Sequence, residues 1–287
     1  MTLPKKSGFV VLFGRSNVGK STLLNAIIGS KISITTPKPQ TTRLPIQGIL
    51  TRDEGQIVFV DTPGIYKKRR DALTKKLLET VKQSLKDVDV IGYVVDPTRE
   101  IGDEEHEALR IIKQTDAKHV LIINKIDENK KPFIDFYRDL SPEFDATVEV
   151  SSLRETNIEA LIDILFSFIP EGEYFYPEHQ ITNIPNAFWI AELIREKLFL
   201  RLRQEVPYTT HVEVTDIQDK ENGMLVIAAT IFTTNDRYKR MIIGTGGQGV
   251  KEIGQSTRKE LEGAMNRKIF LELTVDVDPH WTERFAV

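Results

Sequence analysis

Through the first 170 residues, short apolar runs alternate with longer amphipathic stretches. Phe9–Phe13, Gln56–Val60, Val90–Val95, His119–Ile123 and Thr147–Val150 are strand-length and rich in Val, Ile and Phe. Between them, Thr22–Ile28, Leu73–Leu85, Glu104–Lys113, Phe133–Leu140 and Ile158–Phe168 have helical spacing, clearest at Ile158, Leu161, Ile162, Leu165 and Ile169. Continuous apolar strands are covered on both faces, and the intervening helices supply the crossovers. The pattern predicts an α/β domain with a mostly parallel sheet and helices on both faces.

From Pro170 to Asn186, Pro, Gly, Glu and Tyr interrupt both periods. This predicts a linker over 171–186 between a first domain, 1–170, and a second, 187–287. The second opens with a helix over Ala187–Gln204, whose Ile190, Leu193, Ile194, Leu198 and Leu202 are expected to cover a sheet. Strands over Thr210–Ile217 and Met224–Thr234 flank a turn at Asn222-Gly223. Helices then flank Gly244–Gly247, and Ile269–Val277 closes the chain as a strand. The order α-β-β-α-α-β describes a smaller α+β domain.

The most specific chemistry lies after the first strand, in Gly14-Arg15-Ser16-Asn17-Val18-Gly19-Lys20-Ser21, which leads through Thr22 into a helix. Gly14 and Gly19 permit a tight turn whose N–H groups, through Asn17, Val18 and Thr22, face a phosphate. Lys20 supplies a charge for the β- and γ-phosphates and Ser21 a hydroxyl for magnesium. Asp61-Thr62-Pro63-Gly64 follows the next predicted strand, so Asp61 is expected at the magnesium and the Gly64 N–H at the γ-phosphate. An Asp-x-x-Gly segment alone is usually a turn; its place behind a strand and after a phosphate loop changes that reading. Thr42, in the polar stretch from Thr35 to Arg43, is the chosen third magnesium ligand. Lys20, Thr42 and Gly64 are the catalytic candidates.

Asn124-Lys125-Ile126-Asp127 follows another strand. The Asp127 carboxylate accepts from both N1–H and the 2-amino group of guanine, whereas adenine presents it with a lone pair. Asn124 braces the loops and the Lys125 stem lies over the base. Ser151-Ser152-Leu153, behind the last strand, offers a backbone N–H to guanine O6. Each segment alone is a common loop; their order, each behind its own strand, points to GTP and GDP. Ile65 and Tyr66 follow Gly64, and an isoleucine cannot orient water. Hydrolysis is therefore expected to rest on Lys20, magnesium, the switch loops and a potassium ion at the Asn17 side-chain carbonyl.

In the second domain, Gly244-Thr245-Gly246-Gly247 sits within the spacing Ile-Ile-Gly-x-x-Gly-x-x-Val-Lys-x-Ile-Gly. A loop without bulky Cβ atoms admits a sugar-phosphate backbone, and the following helix aims its N-terminus at phosphate. Between Asn235 and Phe270 there are eight Lys/Arg (237, 239, 240, 251, 258, 259, 267, 268) against four Asp/Glu (236, 252, 260, 262). Candidate RNA contacts are Arg237, Lys239, Arg240, Ile243, Gly244, Thr245, Gly246, Gly247, Lys251 and Arg258. The run Lys67-Lys68-Arg69-Arg70 reads as solvated surface, and Trp189 and Trp281 read as packing residues.

Overall charge conceals this patch, since the formal net charge is −3. The chain has no cysteine, which excludes disulfides, zinc–thiolate sites and thiol nucleophiles. Its five histidines show no metal-ligand spacing. The start lacks a signal-peptide pattern and no apolar run approaches the ~20 residues of a membrane span, so a cytoplasmic location is expected.

Together, Gly14–Ser21, Thr41-Thr42-Arg43, Asp61–Gly64, Asn124–Asp127, Ser151–Leu153 and the Gly244–Gly247 pattern resemble the Era family of GTPases over nearly the whole chain. Departures are Ser16 where that family commonly has Pro, Ser152 where Ala is common, and Thr245 where such loops often carry Lys. The resemblance implies a P-loop GTPase domain followed by a type II KH domain. It also implies binding of small-subunit (16S) ribosomal RNA near its 3′ end and assistance to 30S assembly. Peripheral association with the inner face of the membrane is implied too, without an independent signal in the residues; a monomer is expected. Competing readings are a switch acting on another RNA or at the membrane surface, an NTPase or kinase with a small-molecule second domain, and an RNA-binding module whose nucleotide only stabilises the fold.

Overall fold

Valine, isoleucine and phenylalanine at successive positions place the first sheet in the middle of its unit, because such strands bury both faces. The computed structural model describes residues 4–38, 41–64, 79, 81, 83–86 and 88–281. It divides into two units, residues 1–183 and 184–286. In the first, β1 (Lys6–Phe13), α1 (Lys20–Ile28), β2 (Ile46–Arg52), β3 (Gly55–Asp61) and β4 (Val90–Val95) precede α2 (Asp103–Ile112). β5 (Lys118–Ile123), α3 (Ile134–Asp139), β6 (Ala146–Glu149) and α4 (Ile158–Phe168) follow among the described residues.

The sheet order is β2-β3-β1-β4-β5-β6. β1 runs parallel to β3, with Val10 beside Phe59, and to β4, with Val11 beside Ile91. Only β2 is antiparallel, with Ile49 opposite Val58. That strand is absent from the apolar pattern because Gln47, Gly48, Thr51 and Arg52 interrupt it at a half-buried edge. The helix expected over Leu73–Leu85 falls largely outside the described residues; Val81 and Leu85, which are described, are buried. The run Lys67–Arg70 also lies outside them. Since β1, β3, β4, β5 and β6 are parallel, their carboxyl ends deliver Gly14, Thr62, Asp96, Asn124 and Val150 to one edge of the sheet.

The stretch expected as a linker is not free chain. Through residue 183 it lies along the first unit. Phe175 N and Tyr176 N both donate to Gln56 Oε1 at 2.9 Å, and Gln56 Nε2 donates to Tyr176 O at 2.9 Å and Thr51 Oγ1 at 3.0 Å. Thr182 Oγ1 donates to Gln47 O at 2.7 Å, and Ile49 N donates to Ile181 O at 2.9 Å. Edge strand β2 has backbone groups to satisfy, and this segment satisfies them.

The second unit contains α5 (Asn186–Arg201), β7 (Thr210–Asp219), β8 (Leu225–Thr233), α6 (Asp236–Ile243), α7 (Gln248–Met265) and β9 (Ile269–Val277). Its sheet order is β7-β8-β9, with β7/β8 antiparallel and β8/β9 parallel. Ile227, Ala229 and Ile231 of β8 pack inward with Ile242, Ile253 and Leu261 as a second core. Trp281 is buried, stacks on His211 and donates Nε1 to Thr209 O at 3.0 Å. Among the described residues, no helix is long and apolar enough to cross a membrane.

Candidate nucleotide and RNA sites

The turn from β1 into α1 is built from left-handed backbone. Gly14 has φ +148° and Gly19 φ +101°; a Cβ would lie 2.3 Å from Val94 O at the first and 2.3 Å from Asn124 Nδ2 at the second. Asn17 also has positive φ, 66°. Successive loop carbonyls are held from outside. Lys20 Nζ donates to Gly14 O at 3.0 Å and Arg15 O at 2.8 Å, and Arg99 Nη1 donates to Ser16 O at 2.6 Å. Lys125 Nζ donates to Asn17 O at 3.1 Å and Asn124 Nδ2 to Val18 O at 2.9 Å. The loop's first side chain, Arg15, is buried against Glu105 at 2.9 Å and also donates to Glu100 O.

At the end of β3, Asp61 is fully buried. Its Oδ2 accepts from Ser21 Oγ at 2.6 Å, Ser33 Oγ at 2.9 Å and Thr42 Oγ1 at 3.5 Å, while Ser21 and Thr42 hydroxyls lie 3.1 Å apart. The other oxygen, Oδ1, is buried and accepts no hydrogen bond from a described residue. Burial pushes the Asp61 carboxyl above its usual range, opposed by the Lys20 charge and the hydroxyl donors. Burial lowers Lys20 to about 8, with Asp61 opposing that shift. Neighbouring Thr41 turns its hydroxyl instead to Thr36 and to Lys38 O. Gly64 touches the phosphate loop: a Cβ there would fall 2.5 Å from Ser16 Cα. Ser16, Asn17, Lys20, Ser21, Thr42 and Gly64 are among the residues around a cavity of about 60 Å³.

Beside it, Asn17, Gly19, Thr22, Arg99 and Lys125 border a wider cavity of about 640 Å³. Lys125 is pinned by Asp96 Oδ2 at 2.5 Å. Asn124 Oδ1 accepts from Ser152 N at 3.0 Å and Ser152 Oγ at 2.8 Å. Asp127 is exposed and accepts from Ser151 Oγ at 2.6 Å, with Leu153 exposed beyond. The sequence candidates of the first unit thus converge on one sheet edge, Lys20 among them with its ammonium on the carbonyls of Gly14 and Arg15. Ile65 and Tyr66 lie outside the described residues.

In the second unit, α6 ends at Gly244 and a short turn, Thr245–Gly247, leads into α7. Gly246 and Gly247 have φ +60° and +78° with open space where a Cβ would go. Gly249, which the spacing did not single out, is the tight point: its Cβ would meet Ile242 O at 2.3 Å. Arg237, Arg240, Thr245, Lys251 and Arg258 are exposed, while Ile243 is half-buried. Lys251 and Arg258 line a groove of about 320 Å³ with Val250, Gly254, Leu271 and Leu273. Lys239 instead pairs with Asp276 at 3.2 Å.

A family model described as 50S ribosome-binding GTPase matches residues 9–125, and a KH domain model matches residues 205–282. GTPase Era of Halothermothrix orenii is 41% identical, covering 97% of this chain and 95% of that protein. GTPase Era of Caldanaerobacter subterraneus subsp. tengcongensis is 42% identical, with 97% and 94% covered. This chain belongs to the GTPase Era family. It is accordingly a GTP-hydrolysing enzyme with a P-loop GTPase domain and a C-terminal type II KH domain. A crystal structure of Era in complex with MgGDPNP and nucleotides 1506–1542 of 16S ribosomal RNA matches with TM-score 0.91 and 38% identity, covering 98% of this chain and 96% of that one. An Aquifex aeolicus Era variant bound to GDP·AlF4− matches with TM-score 0.90 and 38% identity over the same shares.

Sequence reasoning missed Arg99, Asp96, Ser33 and Gly249. Nothing in the spacing of Arg99, Asp96 and Ser33 marks them, because the fold brings their partners in from elsewhere in the chain; Gly249 did carry a signal, as a glycine at the start of a helix.

Proposed function

We propose that this chain is a GTP-driven switch that binds small-subunit ribosomal RNA near its 3′ end through Gly244–Gly247 and assists 30S subunit assembly. The carrying observation is the open, left-handed Gly246-Gly247 turn, bordered by Arg240 and Lys251, on the same chain as a phosphate loop and a guanine reader. The likeness over nearly its full length to an Era holding both a GTP analogue and a 16S fragment supports this reading.

Gly14, Asn17, Val18, Gly19, Lys20, Ser21 and Thr22 hold the phosphates in this reading. Asn124, Lys125, Asp127, Ser151, Ser152 and Leu153 hold guanine. A hard cation fits at Asp61, because its buried Oδ1 lacks a donor among the described residues and the hydroxyls of Ser21 and Thr42 supply further oxygen ligands. Magnesium held there would supply positive charge toward the phosphates. Lys20, beside the carbonyls of Gly14 and Arg15, directs its charge at the phosphates in this reading, and the Gly64 N–H faces the γ-phosphate. A potassium ion held by the Asn17 side-chain carbonyl would add charge, checked by comparing turnover in potassium and sodium; equal rates remove it.

Arg237, Arg240, Ile243, Thr245, Lys251 and Arg258 line the RNA path, with Lys239 reaching it on release from Asp276. RNA crosslinked to the full chain in its GTP- and GDP-bound states is expected to contain sequence near the small-subunit 3′ end. Gly244→Asp with Gly247→Asp is expected to abolish crosslinking while GTP turnover persists. Crosslinks spread evenly over unrelated RNAs would overturn the proposal.

A further inference from the structure

Six consecutive carbonyls, Gly14 through Gly19, each accept a hydrogen bond, the last four from donors other than the phosphate lysine. Lys20 takes the first two, Arg99 the third, Lys125 the fourth and Asn124 the fifth, and Leu23 N donates to Gly19 O at 2.8 Å. In a trans peptide the C=O and the following N–H point in opposite directions. Each outward carbonyl therefore turns the next N–H inward.

Lys20, Asn124 and Lys125 belong to motifs whose roles are already assigned. Arg99 does not. It sits in the β4–α2 loop, where Asp96 Oδ1 accepts from Thr98 N at 2.9 Å and Thr98 Oγ1 at 2.7 Å, fixing the turn that presents the guanidinium. Nη1 lies 2.6 Å from Ser16 O, the shortest of the six contacts, and the side chain borders the cavity shared by Asn17, Gly19 and Lys125. The same Ser16 is where Gly64 packs, within 2.5 Å of Ser16 Cα for a built Cβ. One peptide thus joins the cradle to the segment that is read as sensing the γ-phosphate.

We infer that Arg99 is a positioning residue for GTP hydrolysis: by holding the Ser16 carbonyl outward it aims the Asn17 N–H at the phosphates and fixes the surface on which Gly64 closes. This rests on the phosphate-loop assignment above. A charged donor suits the task because a charge-assisted hydrogen bond holds a carbonyl more firmly than a neutral one. Among the described residues Arg99 is the donor to this carbonyl, so its removal loosens the Ser16–Asn17 peptide.

The test compares full chain with Arg99→Met, which keeps the stem and removes the donors, and Arg99→Lys, which returns one. In protein loaded with GDP and magnesium, Arg99→Met is expected to move the Asn17 amide resonance upfield while that of Ile122, buried on β5, stays in place. GDP Kd is expected to rise about tenfold and kcat at saturating GTP to fall about tenfold, with Arg99→Lys recovering most of both. An unmoved Asn17 amide overturns the inference whatever happens to turnover. So do losses that Arg99→Lys fails to recover, including an Arg99→Met protein that does not fold. Wild-type protein that binds no guanine nucleotide refutes the underlying assignment, whereas normal wild-type binding matched by Arg99→Met refutes the role of Arg99 alone.

Discussion

At the scale of single residues, the base site is a question of which edge carries hydrogens. Asp127 accepts from Ser151 and remains exposed for a second partner. Exchanging it for Asn replaces an acceptor by an amide donor, which suits a purine with an oxygen at position 2. Asp127→Asn is expected to weaken GTP binding at least about a hundredfold and to favour xanthosine triphosphate, measured by competition for labelled GDP. Lys20 gives a pH signature. Burial lowers its ammonium to about 8, so phosphate binding above that pH is expected to take up a proton. GDP affinity of nucleotide-free protein is expected to fall as pH rises above about 8, with a slope that Lys20→Arg lacks. The stability contribution has the opposite sign: with the folded value below the ordinary 10.5, the folded form sheds its proton first, and stability from this group rises from about pH 8 toward 10.5. Gly14–Ser21, Asp61 and Asn124–Asp127 could be singled out because local spacing marks them, and the fold brings them to one sheet edge. Arg99 and Ser33 could not, since their partners lie 83 and 28 residues away.

At the scale of elements, the parallel strands were readable from their apolar runs, whereas β2 and the segment beside it were not. Gln56 was the available clue: an amide in a strand whose every residue is buried must find partners. Its amide oxygen and nitrogen each make two hydrogen bonds, three of the four to the backbone of Phe175 and Tyr176. Composition alone made 171–186 look like a spacer because Pro, Gly and Glu describe what the chain avoids and say nothing of what it pairs with. Gln56→Ala strands two N–H groups and one carbonyl, and is expected to cost about 2–4 kcal/mol of stability in the first unit. Urea unfolding measures that loss, and faster proteolysis between residues 172 and 180 locates it.

For the whole molecule, the two units were legible as a change of element order, and the KH spacing identified the second more clearly than its charge. What the sequence left blank is the energetic link between them. If nucleotide state changes RNA affinity, RNA must change nucleotide affinity by the same factor. The 3′-terminal small-subunit RNA is expected to tighten GTP over GDP by about fivefold or more, measured as paired dissociation constants with and without RNA. Identical constants would leave two independent activities on one chain. Gly247→Asp is expected to erase the RNA effect and leave the nucleotide constants of the free protein unchanged.

The outward-held carbonyls bear on nucleotide turnover. A receptor braced by its own side chains loses little conformational entropy on capture, so less affinity is spent on ordering the host.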